Sequence, residues 1–112
     1  MKIDIRTVRD VYILDCSGKI TLGEGTMSIR NTVKDVLQGG AKKILLNFAG
    51  VTYIDSAGVG ELVGAFVTAG NNGAKLKLLG LTGKLREVLT ITKLLTVFEV
   101  FDNETSAVLS FS

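Results

Sequence analysis

One short string concentrates the chemistry of this 112-residue chain: Val51-Thr52-Tyr53-Ile54-Asp55-Ser56-Ala57-Gly58-Val59-Gly60-Glu61-Leu62. The run before it, Ile44-Leu45-Leu46-Asn47-Phe48, is apolar enough to be a buried strand. The residues after it place Val59, Leu62, Val63, Phe66 and Val67 at i, i+3, i+4, i+7 and i+8, one face of a helix. Ser56 therefore falls where a strand gives way to a helix, at or beside the helix N-cap. Free backbone N–H groups and the positive end of the helix dipole converge there. Two chemistries suit a hydroxyl in that place. It can cap the helix, or it can accept a phosphate that the amides of Ala57 to Gly60 would hold without unfolding anything. Asp55 is itself a good cap, and Ser56-Ala57-Gly58 is an unusually small first turn, which leaves the hydroxyl open to a visiting surface.

Other reactive arrangements fail on inspection. Gly80-Leu81-Thr82-Gly83-Lys84-Leu85 has a phosphate-loop flavour, but its first glycine is misplaced and Leu85 stands where a magnesium-binding hydroxyl is needed. Gly58-Val59-Gly60 is part of a dinucleotide fingerprint whose third glycine would fall at Val63. Gly60 and Gly64, one turn apart, read instead as a site of close approach to a neighbouring element. The chain has no histidine, which removes histidine acid–base catalysis and histidine metal ligands. Ser56 has no lysine at suitable spacing and no nucleophile-elbow glycines. Asp55 and Glu61 are single carboxylates without an evident partner. The one cysteine, Cys16, lies in an apolar strand and reads as a small buried hydrophobe. No catalytic constellation, metal site or cofactor site assembles, so the expectation is a binding protein and not an enzyme.

The elements that position Ser56 follow from periodicity. Ile3, Ile5 and Thr7 alternate with charges, and residues 11–17 give a second strand after an Arg9-Asp10 turn, so the chain should open with an antiparallel hairpin. Ile29, Val33, Val36 and Leu37 mark a helix over 24–38, stopped by Gly39-Gly40. A central strand over 42–48 is apolar on both faces and should be covered by helices on both sides. A second helix over 56–71, a strand around Leu76-Lys77-Leu78-Leu79, a third helix capped by Thr82, a short strand over 98–101 and a terminal helix over 103–109 complete the order. The fold class is α/β: a mixed sheet of four to five strands opened by a hairpin, with four to five helices, in one domain over 1–112. A hydrophobic fraction of 46% and a net charge of +2 fit an ordinary globular protein and give no basic patch for nucleic acid. No stretch is long enough to span a bilayer and the N-terminus lacks a signal peptide's apolar core, so a cytoplasmic location is expected.

Tyr53-Ile54-Asp55-Ser56-Ala57-Gly58-Val59-Gly60 resembles the phosphoacceptor motif of the bacterial anti-sigma factor antagonists, the STAS-domain family. The resemblance extends to Leu14-Asp15-Cys16-Ser17-Gly18-Lys19-Ile20-Thr21, to Lys43-Ile44-Leu45-Leu46-Asn47-Phe48 and to Leu76-Lys77-Leu78-Leu79-Gly80. Two positions depart from it: Ala57 stands where many members carry a second hydroxyl, and Thr21 where an acidic residue is common. The resemblance implies a small, usually monomeric domain that takes part in a partner switch. Its partner is an anti-sigma factor that is also a serine kinase. Binding frees the sigma factor, phosphorylation of Ser56 ends the binding, and a PP2C-type phosphatase resets the switch. The expected docking face joins Asp55, Ser56, Ala57 and Gly58 to Gly23-Glu24 and Thr82-Gly83, at one end of the sheet. The alternative from the same family is a subunit of a membrane transporter or lipid-export complex that needs no phosphorylation.

Overall fold

The computed structural model describes residues 2–21 and 24–112, with side chains described outside 22–28. Strand β1 (Lys2–Val8) turns through Arg9, at φ 58°, into β2 (Val11–Ile20). Helix α1 (Glu24–Gln38) leads to β3 (Lys43–Ile54), α2 (Ser56–Asn71) to β4 (Lys75–Leu79), and α3 (Gly83–Ile91) with a 3-10 turn (Leu94–Thr96) to β5 (Val100–Phe101). A short α4 (Glu104–Leu109) ends the chain. The sheet runs β1-β2-β3-β4-β5, antiparallel between β1 and β2 and parallel thereafter, so the expected opening hairpin and mixed sheet are present.

Strands added one after another in the same direction put their crossover helices on the same face. The larger core follows: Ile29 and Val33 of α1, Leu62 and Ala65 of α2, and Leu85 and Leu89 of α3 pack on Leu14, Ile44, Leu46, Phe48 and Leu78. The opposite face keeps a smaller core, in which Ala107, Val108 and Phe111 cover Val11, Ile13, Leu45 and Leu79. Both faces of the central strand are thus covered, the second only over its lower part.

Beyond that lower part, polar groups take over. Asn47, inside the apolar run, points to the second face and donates from Nδ2 to Asp15 Oδ1 at 2.8 Å. Arg6 grips Asp15 through Nε (2.6 Å) and Nη2 (3.2 Å), and reaches Glu104 through Nη1 (3.0 Å) and Nη2, tying β1, β2 and α4 together. The Arg6 guanidinium holds the Asp15 and Glu104 carboxyls below their usual range, with the Asn47 amide adding to the effect on Asp15. A carboxyl easier to ionise in the fold than in the unfolded chain adds stability above its ordinary pKa of about 4, and gives it up as pH falls through the folded value. Thermal stability should therefore hold from neutrality to about pH 5 and drop below it. An Asp15→Asn variant should melt lower at pH 7 and lose less on acidification. An acid loss as steep as the parent's would assign that loss to other carboxyls.

Three boundaries differ from the sequence expectation. Strand β3 does not stop at Phe48 but runs to Ile54. Opposite β2 it carries two extra residues, one between the Asp15–Asn47 and Ser17–Gly50 pairs and one between Gly18–Val51 and Lys19–Tyr53. These bulges change the inward spacing to Phe48, Val51, Ile54, which has no period of two. Strand β2 likewise runs past Ser17 to Ile20. Phe98 lies before β5 rather than in it, buried edge-on against Phe66 at 5.0 Å between ring centroids. Cys16 is buried, and burial pushes its thiol up to about 12, so it is an inert core group at neutral pH.

Candidate functional site: the strand–helix junction at Ser56

Strands β2, β3 and β4 are parallel, so α1, α2 and α3 all begin at the same end of the sheet. That end gathers three helix N-termini, where partial positive charge accumulates. Asp55 is the N-cap of α2, in extended backbone at φ −105°, ψ −177°. Its Oδ1 accepts from the Gly58 amide at 2.8 Å, and its own N–H donates to Ile20 O at 3.2 Å, fixing the junction to the end of β2. Such a cap contributes roughly 1 kcal/mol.

Ser56 is the first helical residue, not the cap. Both Asp and Ser cap well; the bond from Asp55 N–H to Ile20 holds Asp55 in the half-in conformation and moves Ser56 one place into the helix. Ser56 is exposed, and among the described residues its hydroxyl takes no hydrogen bond. The amides expected to meet a phosphate also narrow. Gly58 N–H is taken by Asp55 Oδ1 and Val59 N–H by Asp55 O. The amides of Ser56 and Ala57 remain outside the helix ladder and face the opening.

Ala57 is half-buried and Gly58 buried. Gly58 does not keep the surface open. A Cβ there would meet Ile20 O at 2.4 Å, and Ile20 Cγ2 and Ile54 Cγ1 at 2.8 Å, so Gly58 is the point where α2 lies against the sheet. Gly60 and Gly64, expected at a close approach, face open space: a methyl added at either would meet nothing within 4 Å among the described residues. Thr82 caps α3 as expected, accepting from Leu85 N–H at 3.5 Å, and the exposed Gly83 follows it. Topology brings Thr82 and Gly83 to the Ser56 end of the sheet. Gly23 and the side chain of Glu24 lie outside the described residues.

Sequence reasoning missed two features of this end. Glu61, read as unpartnered, lies 3.6 Å from Arg30 Nη1 through Oε1, while its buried Oε2 has no hydrogen-bond partner among the described residues. The pair joins α1 to α2 across 31 residues, beyond any local spacing rule. Tyr53 is 40% exposed beside Lys19, turned outward with Thr52 by the second bulge. The three-residue spacing of Phe48, Val51 and Ile54 is the one signal that could have exposed it.

The STAS domain family model matches residues 2–107. Among solved structures, the chain is similar to a Thermotoga maritima protein assigned as a candidate anti-sigma factor antagonist, with 26% identity, 96% of this chain and 92% of that one covered, and a TM-score of 0.87. It also shares its fold with the Bacillus cell-fate determinant SpoIIAA in the phosphorylated form (19% identity, 99% and 100% covered, TM-score 0.75). A sulfate transporter family protein from Wolinella succinogenes has the same fold (20% identity, 91% and 84% covered, TM-score 0.71). With the family model matching residues 2–107 of the 112, the chain belongs to the STAS domain family.

Proposed function

We propose that this STAS domain is an anti-sigma factor antagonist, a binding module and kinase substrate and not an enzyme, switched off by phosphorylation of Ser56. The observation that carries the reading is the division of labour at the junction. Asp55 does the capping, so the exposed Ser56 hydroxyl is not needed for the fold and is free to be modified. A phosphate brings about −1.5 to −2 charges and is met by the helix dipole and the amides of Ser56 and Ala57, so the domain stays folded while its docking surface gains negative charge and bulk.

The partner is an anti-sigma factor that is also a serine kinase, opposed by a PP2C-type phosphatase, and the switch operates in the cytoplasm by a monomeric domain. Asp55, Ser56, Ala57, Thr82 and Gly83 belong to the docking face with Gly23 and Glu24, and Gly58 sets its shape from beneath. Intact-mass and phosphosite mapping of the protein from its native cells, beside a Ser56→Ala variant, tests the reading. One phosphate at Ser56, absent from the variant, is expected. Its absence through growth, stress and stationary phase would favour the second reading, a transporter or lipid-export subunit without phosphorylation. The fold shared with the Wolinella sulfate transporter family protein supports that alternative. No helix among the described residues is long and apolar enough to cross a membrane.

A further inference from the structure

At the other end of β4 lies a groove of about 500 Å³, lined by Phe66, Ala74, Leu76, Lys77, Val97 and Glu99 among others. Its size falls within the range of about 300–1,000 Å³ usual for small-molecule sites. The groove exists because β5 is only two residues long: it pairs with Leu78 and Leu79 and leaves the first half of β4 without a neighbour on that side. The amides of Leu78 and Gly80 donate across this edge to Glu99 O and Phe101 O, whereas Lys75 N–H turns the other way to Lys42 O. Alternation along the strand then aims the Leu76 amide into the groove, where β5 has not begun.

Beside it sits a lysine that the sheet ought not to contain. The Lys77 side chain is only 8% exposed. Its ammonium donates to Ser110 O and Ser110 Oγ, both at 3.0 Å, and pairs with Glu99 Oε2 at 2.8 Å. The Phe111 and Phe101 rings lie 4.7 and 5.8 Å away. The third partner differs in kind from the first two. Ser110 is built into the end of the chain, but Glu99 is 65% exposed and reaches in from solvent, so it can swing away while Ser110 stays in place.

We propose that this groove binds a small carboxylate with an apolar body, and that Glu99 is the internal stand-in for it. The incoming carboxylate takes the place of Glu99 on Lys77 and accepts from the Leu76 amide, with exposed Lys75 at the rim; its apolar part lies along Phe66, Ala74 and Val97. No bond is made or broken, and the site is separate from Ser56.

The test is a titration of the full chain with hexanoate, followed by amide NMR shifts, with hexanol as the uncharged control. Saturable shifts at Leu76, Lys77, Val97, Glu99 and Ser110 are expected with hexanoate and not with hexanol. Removing the competing carboxylate by Glu99→Gln should tighten binding about three- to fivefold, and Lys77→Met should abolish it. Should Lys77→Met fail to fold, Glu99→Gln, at an exposed side chain, still decides. The proposal is overturned by equal responses to both probes. It is also overturned by no saturable shift up to about 20 mM, well past the millimolar affinity that so small a ligand supports, or by a Glu99→Gln variant that binds no better than the parent.

Discussion

A Gly58→Ala substitution should lower the melting temperature by about 8–20 °C, the largest effect expected of any single methyl in this protein. The methyl would sit 2.4 Å from the Ile20 carbonyl oxygen and 2.8 Å from two side-chain carbons, so backbone has to move. That same carbonyl receives Asp55 N–H, and moving it strains the anchor of the junction at Ser56. Overpacking of this kind costs about 1–3 kcal/mol and the weakened hydrogen bond about 1 more, against at most about 1 kcal/mol gained from replacing a helical glycine. The net loss spans about 1–4 kcal/mol and centres on about 2–3. Gly60→Ala, two residues along the same helix, is the control: with nothing near its Cβ it should be neutral or stabilising by up to about 1 kcal/mol. Melting curves of the two variants decide. If Gly58→Ala stayed within about 2 °C of the parent, the contact between α2 and β2 would be looser than described.

The second large effect concerns binding. Ser56→Glu should weaken association with the anti-sigma factor by about 5- to 150-fold, the span of a coupling of about 1–3 kcal/mol. Ser56→Ala should bind like the parent but no longer respond to the kinase. Stability should hardly change in either. A first-turn carboxylate is favoured by the helix dipole by about 0.3–1 kcal/mol, and the alanine removes no cap because Asp55 supplies it. Calorimetric titration of the three proteins measures the affinities. Equal affinities for Ser56→Glu and the parent would remove Ser56 from the docking face. A clear loss of stability in Ser56→Ala would return the hydroxyl to a structural role.

What the sequence made legible were features settled within a few residues. The Arg9-Asp10 turn, the bounds of α1 and α2, and the Thr82 cap all lie where local patterning put them. Asn103, taken as the first residue of the last helix, proves to be its cap, accepting from Ser106 N–H at 2.9 Å. Features that depend on a distant strand were hidden. The upper half of β3 keeps its pairing only by bulging against β2, which erases the alternation that would announce a strand. Whether Asp55 or Ser56 caps α2 turns on a hydrogen bond to Ile20, 35 residues earlier. Gly58, Gly60 and Gly64 are identical letters on one helix, and only the position of β2 tells the packed one from the open ones. The burial of Lys77 likewise depends on Ser110 and Phe111 closing over it from the chain's end.

The unbroken strand order also bears on how the molecule comes into being. Since every strand pairs with its immediate predecessor, no segment has to wait for a later one before its neighbour exists. Synthesis at about 5–20 residues per second is slow beside the formation of a hairpin or a helix. Each βα unit can therefore settle on its forerunner while the next is still being translated. The chain contains no proline whose isomerisation could hold up the growing sheet. The strand–helix junction at Ser56, anchored to Ile20 at the end of β2, would then take shape before β4 joins the sheet, and the strand edge with its groove would be among the last surfaces to close.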